Sequence, residues 1–212
     1  MTPRALTPRG LRRAELHLAA ADPVMARIIE GVGRCRLGTS RRDDPFTALV
    51  EAIVWQQLAT RAATTIYGRV LAIFGQDRPT PVAILACSEE QLRGAGLSRG
   101  KVSFLRDLAQ KISDGSVSLD ALERMTDDEV VAALTRIKGI GRWTAEMFLM
   151  FRLQRPDILP VGDLGIVKAM QKHYRLRKTT PERLYRVAEP WRPYRSVAAW
   201  YLWASADATP GE

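Results

Sequence analysis

Apolar residues along this chain recur every three or four positions, runs of them are punctuated by Gly, Pro and Asp, and alternation with a period of two is nearly absent. That pattern predicts an all-α protein. After a basic, Pro-containing arm over residues 1–20, Asp22-Pro23 marks a helix start, with Asp as cap and Pro at the first helical position. Asp44-Pro45 opens a second helix, "DPFTALVEAIVWQQLATRAATTIYGRVLAIFG", in which Phe46, Leu49, Val50, Ile53 and Val54 share a face and Gly75 ends the run. The next stretch predicts short helices broken at Ser88 and around Gly94 to Gly100, then a longer helix up to Gly115. Ser88, followed by Glu90 and Gln91, has the character of a capped start. Thr126 and Glu129 have capping-box spacing at the head of a helix reaching Ile137, with Val130, Val131, Leu134 and Ile137 inward. A helix from about Arg142 to Phe151 follows, then a loop framed by Pro156 and Pro160. The tail reads as two helices broken between Pro190 and Pro193. Short connections and the lack of repeats predict one compact bundle.

Composition narrows the partners. Hydrophobic residues make up 46% and charged residues 26% of the 212 positions, a globular balance. Lys and Arg outnumber Asp and Glu by 32 to 23, a net charge of +9, so the field around the protein concentrates anions and nucleic acid is the first partner to test. Two cysteines, Cys35 and Cys87, are too few for a disulfide framework, a four-thiolate zinc site or an iron–sulfur cluster. His17 and His173 are isolated and lack ligand spacing. No apolar run of signal-peptide or membrane-span length occurs, which predicts an intracellular protein with no membrane partner.

The segment "RIKGIGRWTAEMFLMF" (136–151) places Gly139 and Gly141 in a turn between two helices. The first amides of the second helix lack intrahelical acceptors, and with the positive end of its dipole they make an anion site that absent side chains leave open. Lys138 and Arg142 flank it, with Thr144 just beyond. Such a contact reads the phosphate backbone and not the bases. An isolated G-x-G serves a tight turn equally well, so the wider sequence has to decide.

"LTRIKGIGRWTAEMFLMF", followed about twenty residues later by "LPVGDLGIVKAM", resembles the helix-hairpin-helix (HhH-GPD) DNA glycosylases, and within them the 3-methyladenine DNA glycosylase II group that removes alkylated bases. The likeness extends to "DPFTALVEAIVWQQLATRAATTIYGRV", "GAGLSRGKVSFLRDLA" and "WRPYRSVAAWYLW", from about Asp44 to Trp203. It implies a two-lobed helical bundle with a helix-hairpin-helix motif and an active-site cleft between lobes. One lobe would combine about 21–45 with 160–206, and the other, about 46–155, would contain the hairpin over 134–151. Longer members begin with a β-rich domain; the forty residues before the shared core do not read as strands, so the compact form is expected.

Carried over by position, the resemblance puts the catalytic aspartate on Asp163 and the aromatic pocket walls on Trp143 and Trp203. Gln56 falls near the lesion, and Met147 and Leu164 stand where some relatives have tyrosines. Lys138, Gly139, Gly141, Arg142 and Thr144 fall on the DNA-binding hairpin. The turn Leu97-Ser98-Arg99 is assigned the wedge that fills the gap left by a flipped base. No cofactor is implied for the chemistry. A monovalent cation, sodium or potassium, would sit on the backbone carbonyls of Thr135, Ile137 and Ile140 and brace the turn. The implied partner is double-stranded DNA containing alkylated bases, acted on by a monomer.

An ionised carboxylate near the anomeric carbon stabilises the positive charge that develops as an N-glycosidic bond breaks. Trp143 occupies the place of the lysine that forms a Schiff base in strand-nicking members, which predicts a monofunctional enzyme that leaves an intact abasic site. Trp55, Trp191 and Trp200 are read as core. Nine Lys/Arg against two acids between Gly165 and Arg195 suggest further backbone-binding surface. Two alternatives stay open at this point: a glycosylase for deaminated or oxidised bases on the same fold, and a non-catalytic hairpin module that holds DNA.

Overall fold

The computed structural model describes residues 6–38, 44–75 and 78–207, and among these there is no β-strand. In chain order the helices are α1 (Pro8–Ala21), α2 (Pro23–Val32), α3 (Pro45–Trp55), α4 (Thr60–Ile73), α5 (Pro81–Ala86) and α6 (Glu89–Gly94). There follow α7 (Arg99–Ser113), α8 (Leu119–Leu122), α9 (Asp127–Leu134), α10 (Arg142–Met147), α11 (Leu164–Tyr174), α12 (Pro181–Val187) and α13 (Arg195–Asp207). A π-helical turn, Phe148–Arg152, continues α10. Five starts share one local logic. Thr7-Pro8, Asp22-Pro23, Asp44-Pro45, Thr80-Pro81 and Thr180-Pro181 each put a side-chain acceptor before a proline whose missing N–H costs the first turn nothing. Capping boxes close α6 at Ser88/Gln91 and α9 at Thr126/Glu129.

The chain divides into two compact units, one formed by Met1–Arg41 with Leu149–Glu212 and the other by Arg42–Phe148. In the first, α2 packs on α1 and α13, and α13 on α11. Its core includes Leu18, Met25, Met170, Trp191, Val197 and Leu202. Polar ties run through it: the Asp22 carboxylate accepts from the Val24 amide (2.8 Å), the Tyr174 hydroxyl (2.7 Å) and the Trp191 indole (2.8 Å). Glu15 accepts from the Cys35 amide and the Tyr201 hydroxyl. Burial and the facing Glu15 carboxylate push the Tyr201 phenol upward, and burial drives the Cys35 thiol up to about 12, so neither titrates at neutral pH.

The second unit is organised around α7, which packs against α3, α5 and α6. Leu49, Ile53, Ile84, Leu92, Leu105, Leu108 and Leu134 are its sealed interior.

Three sequence expectations change. Residues 1–5 of the expected basic arm lie outside the described residues, but 8–21 form α1, because Leu11, Ala14 and Leu18 make a buried stripe between the arginines. The single helix expected from Pro45 to Gly75 breaks after Trp55: Gln56 is extended (ψ 132°) and Gln57 left-handed (φ 55°) before α4 begins. The helix expected to run regularly from Arg142 to Phe151 loosens into the π turn from Phe148, a register change often found at functional positions.

Candidate active site

Within the second unit, α9 and α10 are joined by the turn Thr135–Gly141. Ile137 and Ile140 point into the core and anchor it. Gly139 is left-handed (φ 81°), and a Cβ there would come within 2.3 Å of the Phe104 ring of α7, so glycine is required twice over. Gly141 is different: it is the N-cap of α10, gives no side-chain cap, and a Cβ would meet nothing within 4 Å. The N-cap of α10 therefore places no side chain of its own between the helix start and the open space beside it.

Neighbours hold the turn. The Gln56 side-chain amide donates to the Gly139 carbonyl (2.8 Å), and the Asp107 carboxylate of α7 accepts from the Lys138 amide (2.8 Å). Lys138 and Arg142 reach outward, and the Arg142 guanidinium donates to Glu146 (3.0 Å) one helical turn on. Glu146 is buried, which pushes its carboxyl up from the ordinary range, with Arg142 offsetting part of the rise. Trp143 is 46% exposed and Met147 half-buried. Thr144 is buried, so its side chain supports α10 from within and does not form part of the outer surface.

Of the proposed wedge, Leu97 is only 4% exposed. It precedes the N-cap Ser98 of α7, the position of a hydrophobic staple, and Val102, its usual counterpart, is also buried. Ser98 spends its hydroxyl accepting from Lys101, leaving Arg99 as the long side chain of the three that projects outward. The break at Gln56–Ala59, which sequence reasoning read through, exposes Gln57 in the same unit.

In the first unit, Pro160 to Gly162 turn the chain into α11, the Asp163 amide donating to the Pro160 carbonyl (2.9 Å). Asp163 is the N-cap, and its Oδ1 accepts from the Ile166 amide (2.9 Å) and from the Trp203 indole of α13 (2.9 Å). Gly165 permits this arrangement: a Cβ there would lie 3.0 Å from Asp163 Oδ1 and 3.1 Å from the Trp203 ring. Phe151 stacks on Trp203 with centroids 6.0 Å apart and planes 25° from parallel, and remains 42% exposed. Leu164 is 65% exposed beside the carboxylate. The structure thus brings together Asp163, Leu164 and Trp203 and adds Phe151, which the π turn orients and which sequence reasoning missed.

Among the described residues no group of three or more His, Cys, Asp or Glu could hold a metal ion. His17 contacts the Pro190 carbonyl, and His173 contacts Ser205. At the hairpin, the Ile137 carbonyl accepts the Ile140 amide (3.1 Å) with one lone pair, which leaves the second compatible with a cation. No described helix is long and apolar enough to cross a membrane.

A family model described as HhH-GPD superfamily base excision DNA repair protein matches residues 50–193. DNA-3-methyladenine glycosylase 1 of Schizosaccharomyces pombe is 36% identical over 93% of this chain and 88% of its own length. A crystal structure of a DNA-3-methyladenine glycosidase from Bacillus halodurans superposes with a TM-score of 0.81 at 37% identity, covering 92% of this chain and 89% of that one. The S. pombe 3-methyladenine DNA glycosylase in complex with abasic DNA gives a TM-score of 0.80 at 32% identity, over 94% and 99% of the two chains.

Proposed function

The chain belongs to the HhH-GPD superfamily of base excision DNA repair proteins, in its 3-methyladenine DNA glycosylase group, and on that premise we propose that it hydrolyses the N-glycosidic bond of alkylated purines in duplex DNA with Asp163 as the catalytic carboxylate. The observation that carries this reading is the fixing of Asp163 Oδ1 by a helix-start amide and an indole N–H, beside an exposed aromatic pair.

As the bond to the base lengthens, positive charge develops on the deoxyribose. A carboxylate close to the anomeric carbon lowers that barrier electrostatically and can orient the attacking water. Asp163 stands at the N-terminus of α11, where the carboxylate is held by the helix-start amide. A base such as 3-methyladenine is already cationic and leaves neutral, so leaving-group protonation matters less. Recognition then falls to electron-rich faces: Trp203 with Phe151, and Trp143, each worth on the order of 1–2 kcal/mol against a desolvated cation.

The glycine-capped start of α10, with Lys138 and Arg142 alongside, receives a backbone phosphate. A sodium or potassium ion on the carbonyls of Thr135, Ile137 and Ile140 would add positive charge at that point. Gln56 acts through Gly139, fixing the turn. With Leu97 in the core, gap filling falls to Arg99 or Gln57. Trp143 stands where strand-nicking relatives carry an attacking lysine, so the product is an intact abasic site. The protein works as a monomer wherever the cell keeps its DNA.

The test presents methylated, deaminated and oxidised duplexes to the purified protein and identifies the released bases, with borohydride added in parallel. Release of 3-methyladenine and 7-methylguanine with neither strand breaks nor a trapped adduct is expected. Release confined to deaminated or oxidised bases, or a trapped covalent complex, would overturn the assignment.

A further inference from the structure

A carboxylate sits against the phosphate-binding turn, where electrostatics alone would disfavour it. Asp107 projects from α7, its side chain largely buried. Its Oδ2 accepts from the Lys138 amide (2.8 Å) and from the Lys111 ammonium (2.6 Å), and its Oδ1 lies 4.0 Å from the Lys138 ammonium. Burial pushes the Asp107 carboxyl up, but Lys111 and the amide and ammonium of Lys138 outweigh it, so the group titrates below the ordinary carboxylate range and is ionised at neutral pH.

Two more contacts meet at the same peptide. Gln56 takes the Gly139 carbonyl, and Phe104, one turn before Asp107 on α7, lies directly under the Gly139 Cα. The segment Lys138–Gly139 is therefore gripped at its leading N–H, its central carbon and its trailing carbonyl. Gly139 is the left-handed residue of the turn, and a left-handed glycine has wide backbone freedom unless its neighbours restrict it.

We infer that Asp107 is a positioning residue for DNA binding: through the Lys138 amide it sets the hairpin in the conformation that presents the α10 amides to a phosphate. This rests on the functional reading above only for the identity of the ligand, duplex DNA. The grip also removes two donors from the phosphate site: the Lys138 amide is committed to Asp107 and the Ile140 amide to the Ile137 carbonyl.

Positioning and simple charge make opposite predictions. If Asp107 were only an acid near DNA, removing it would tighten binding and steepen the dependence on salt. If it positions the turn, removing it weakens binding although the protein becomes more positive. The experiment measures the dissociation constant for an undamaged duplex and, separately, single-turnover release from methylated duplex, for Asp107→Ala and Asp107→Asn. Glu89→Gln serves as the charge control: Glu89 lines the same open cavity of about 640 Å³ as Asp107 and Lys138.

Asp107→Ala is expected to weaken duplex binding by about tenfold and to raise the enzyme concentration for half-maximal single-turnover release by a similar factor, with the maximal rate within about twofold, since losing a hydrogen bond to a charged group costs on this scale. Asp107→Asn keeps an oxygen for the Lys138 amide and should restore binding to within about threefold of wild type. Glu89→Gln should bind as well as wild type or slightly better. Should the alanine variant fail to fold, Asp107→Glu takes its place; it keeps the charge, moves the carboxylate by one methylene and should show the same loss. Binding by Asp107→Ala (or Asp107→Glu) as tight as wild type, or no recovery in Asp107→Asn, overturns the inference. Absence of base release by wild type overturns the functional reading instead, and leaves the duplex-binding comparison intact.

Discussion

Asp163→Asn separates charge from structure at the proposed catalytic position. Asparagine is as good an N-cap as aspartate, and its oxygen can accept from the Ile166 amide and the Trp203 indole as Oδ1 does at 2.9 Å. The stability cost is then confined to the lost interaction between charge and helix dipole, about 0.3–1 kcal/mol. The catalytic cost is larger. A full negative charge about 4 Å from a developing cation, at an effective dielectric near 20, is worth about 4 kcal/mol. At about 1.4 kcal/mol per factor of ten, that is roughly a thousandfold in rate. The assay is single-turnover release of 7-methylguanine under saturating enzyme, with melting temperature and duplex affinity measured on the same preparations. A loss near a thousandfold with the fold and binding kept supports electrostatic catalysis by Asp163. A variant within tenfold of wild type refutes it, and so does a loss that merely tracks unfolding.

The other predictions bear on the surroundings. Trp203→Phe keeps an aromatic face toward Phe151 but removes the indole donor from Asp163; hydrogen bonds to charged groups contribute about 1.5–3 kcal/mol, so base release should fall at least tenfold, and an unchanged rate would show that the indole does not orient the carboxylate. Gly139→Ala drives a Cβ into Phe104 at a left-handed position, and calorimetry should find about 2–4 kcal/mol of stability lost together with weakened duplex binding; a neutral effect would mean the turn is not held as described. Glu146 titrates above its ordinary value because it is buried, so its folded-state penalty is absent below the ordinary carboxylate range and grows as pH rises through the raised value. Glu146→Gln removes that penalty: its melting temperature relative to wild type should be more favourable at pH 7 than at pH 4, and the reverse ordering would contradict the sign.

Much of the architecture was legible because it rests on local chemistry. The Asp-Pro starts at 22 and 44 and the box at Thr126/Glu129 carry their own hydrogen-bond logic, and the structure has all of them. What escaped reading was tertiary. Nothing between Trp55 and Thr60 signals a break, since no glycine or proline interrupts a helical spacing of apolar residues. The break is stabilised by a bond from Gln56 to Gly139, eighty-three positions away. Helix α1 was hidden because Arg9, Arg12 and Arg13 mask the stripe of Leu11, Ala14 and Leu18. Leu97 was legible and misread: an apolar residue directly before a Ser cap is placed to pack inward. Asp163 and Trp203 were singled out through the resemblance, but the bond between them spans forty residues of sequence, and the π turn that brings Phe151 to the same place leaves no local mark.

The central claim is that the Asp163 carboxylate stabilises positive charge on the sugar. It is tested most directly by the affinity of wild type and Asp163→Asn for two duplexes, one with a protonated pyrrolidine at the abasic position and one with the neutral tetrahydrofuran analogue. A mimic of the charged transition state should bind wild type more tightly than its neutral counterpart by about a hundredfold or more, and Asp163→Asn should lose most of that preference. The same ratio in both proteins would contradict the account.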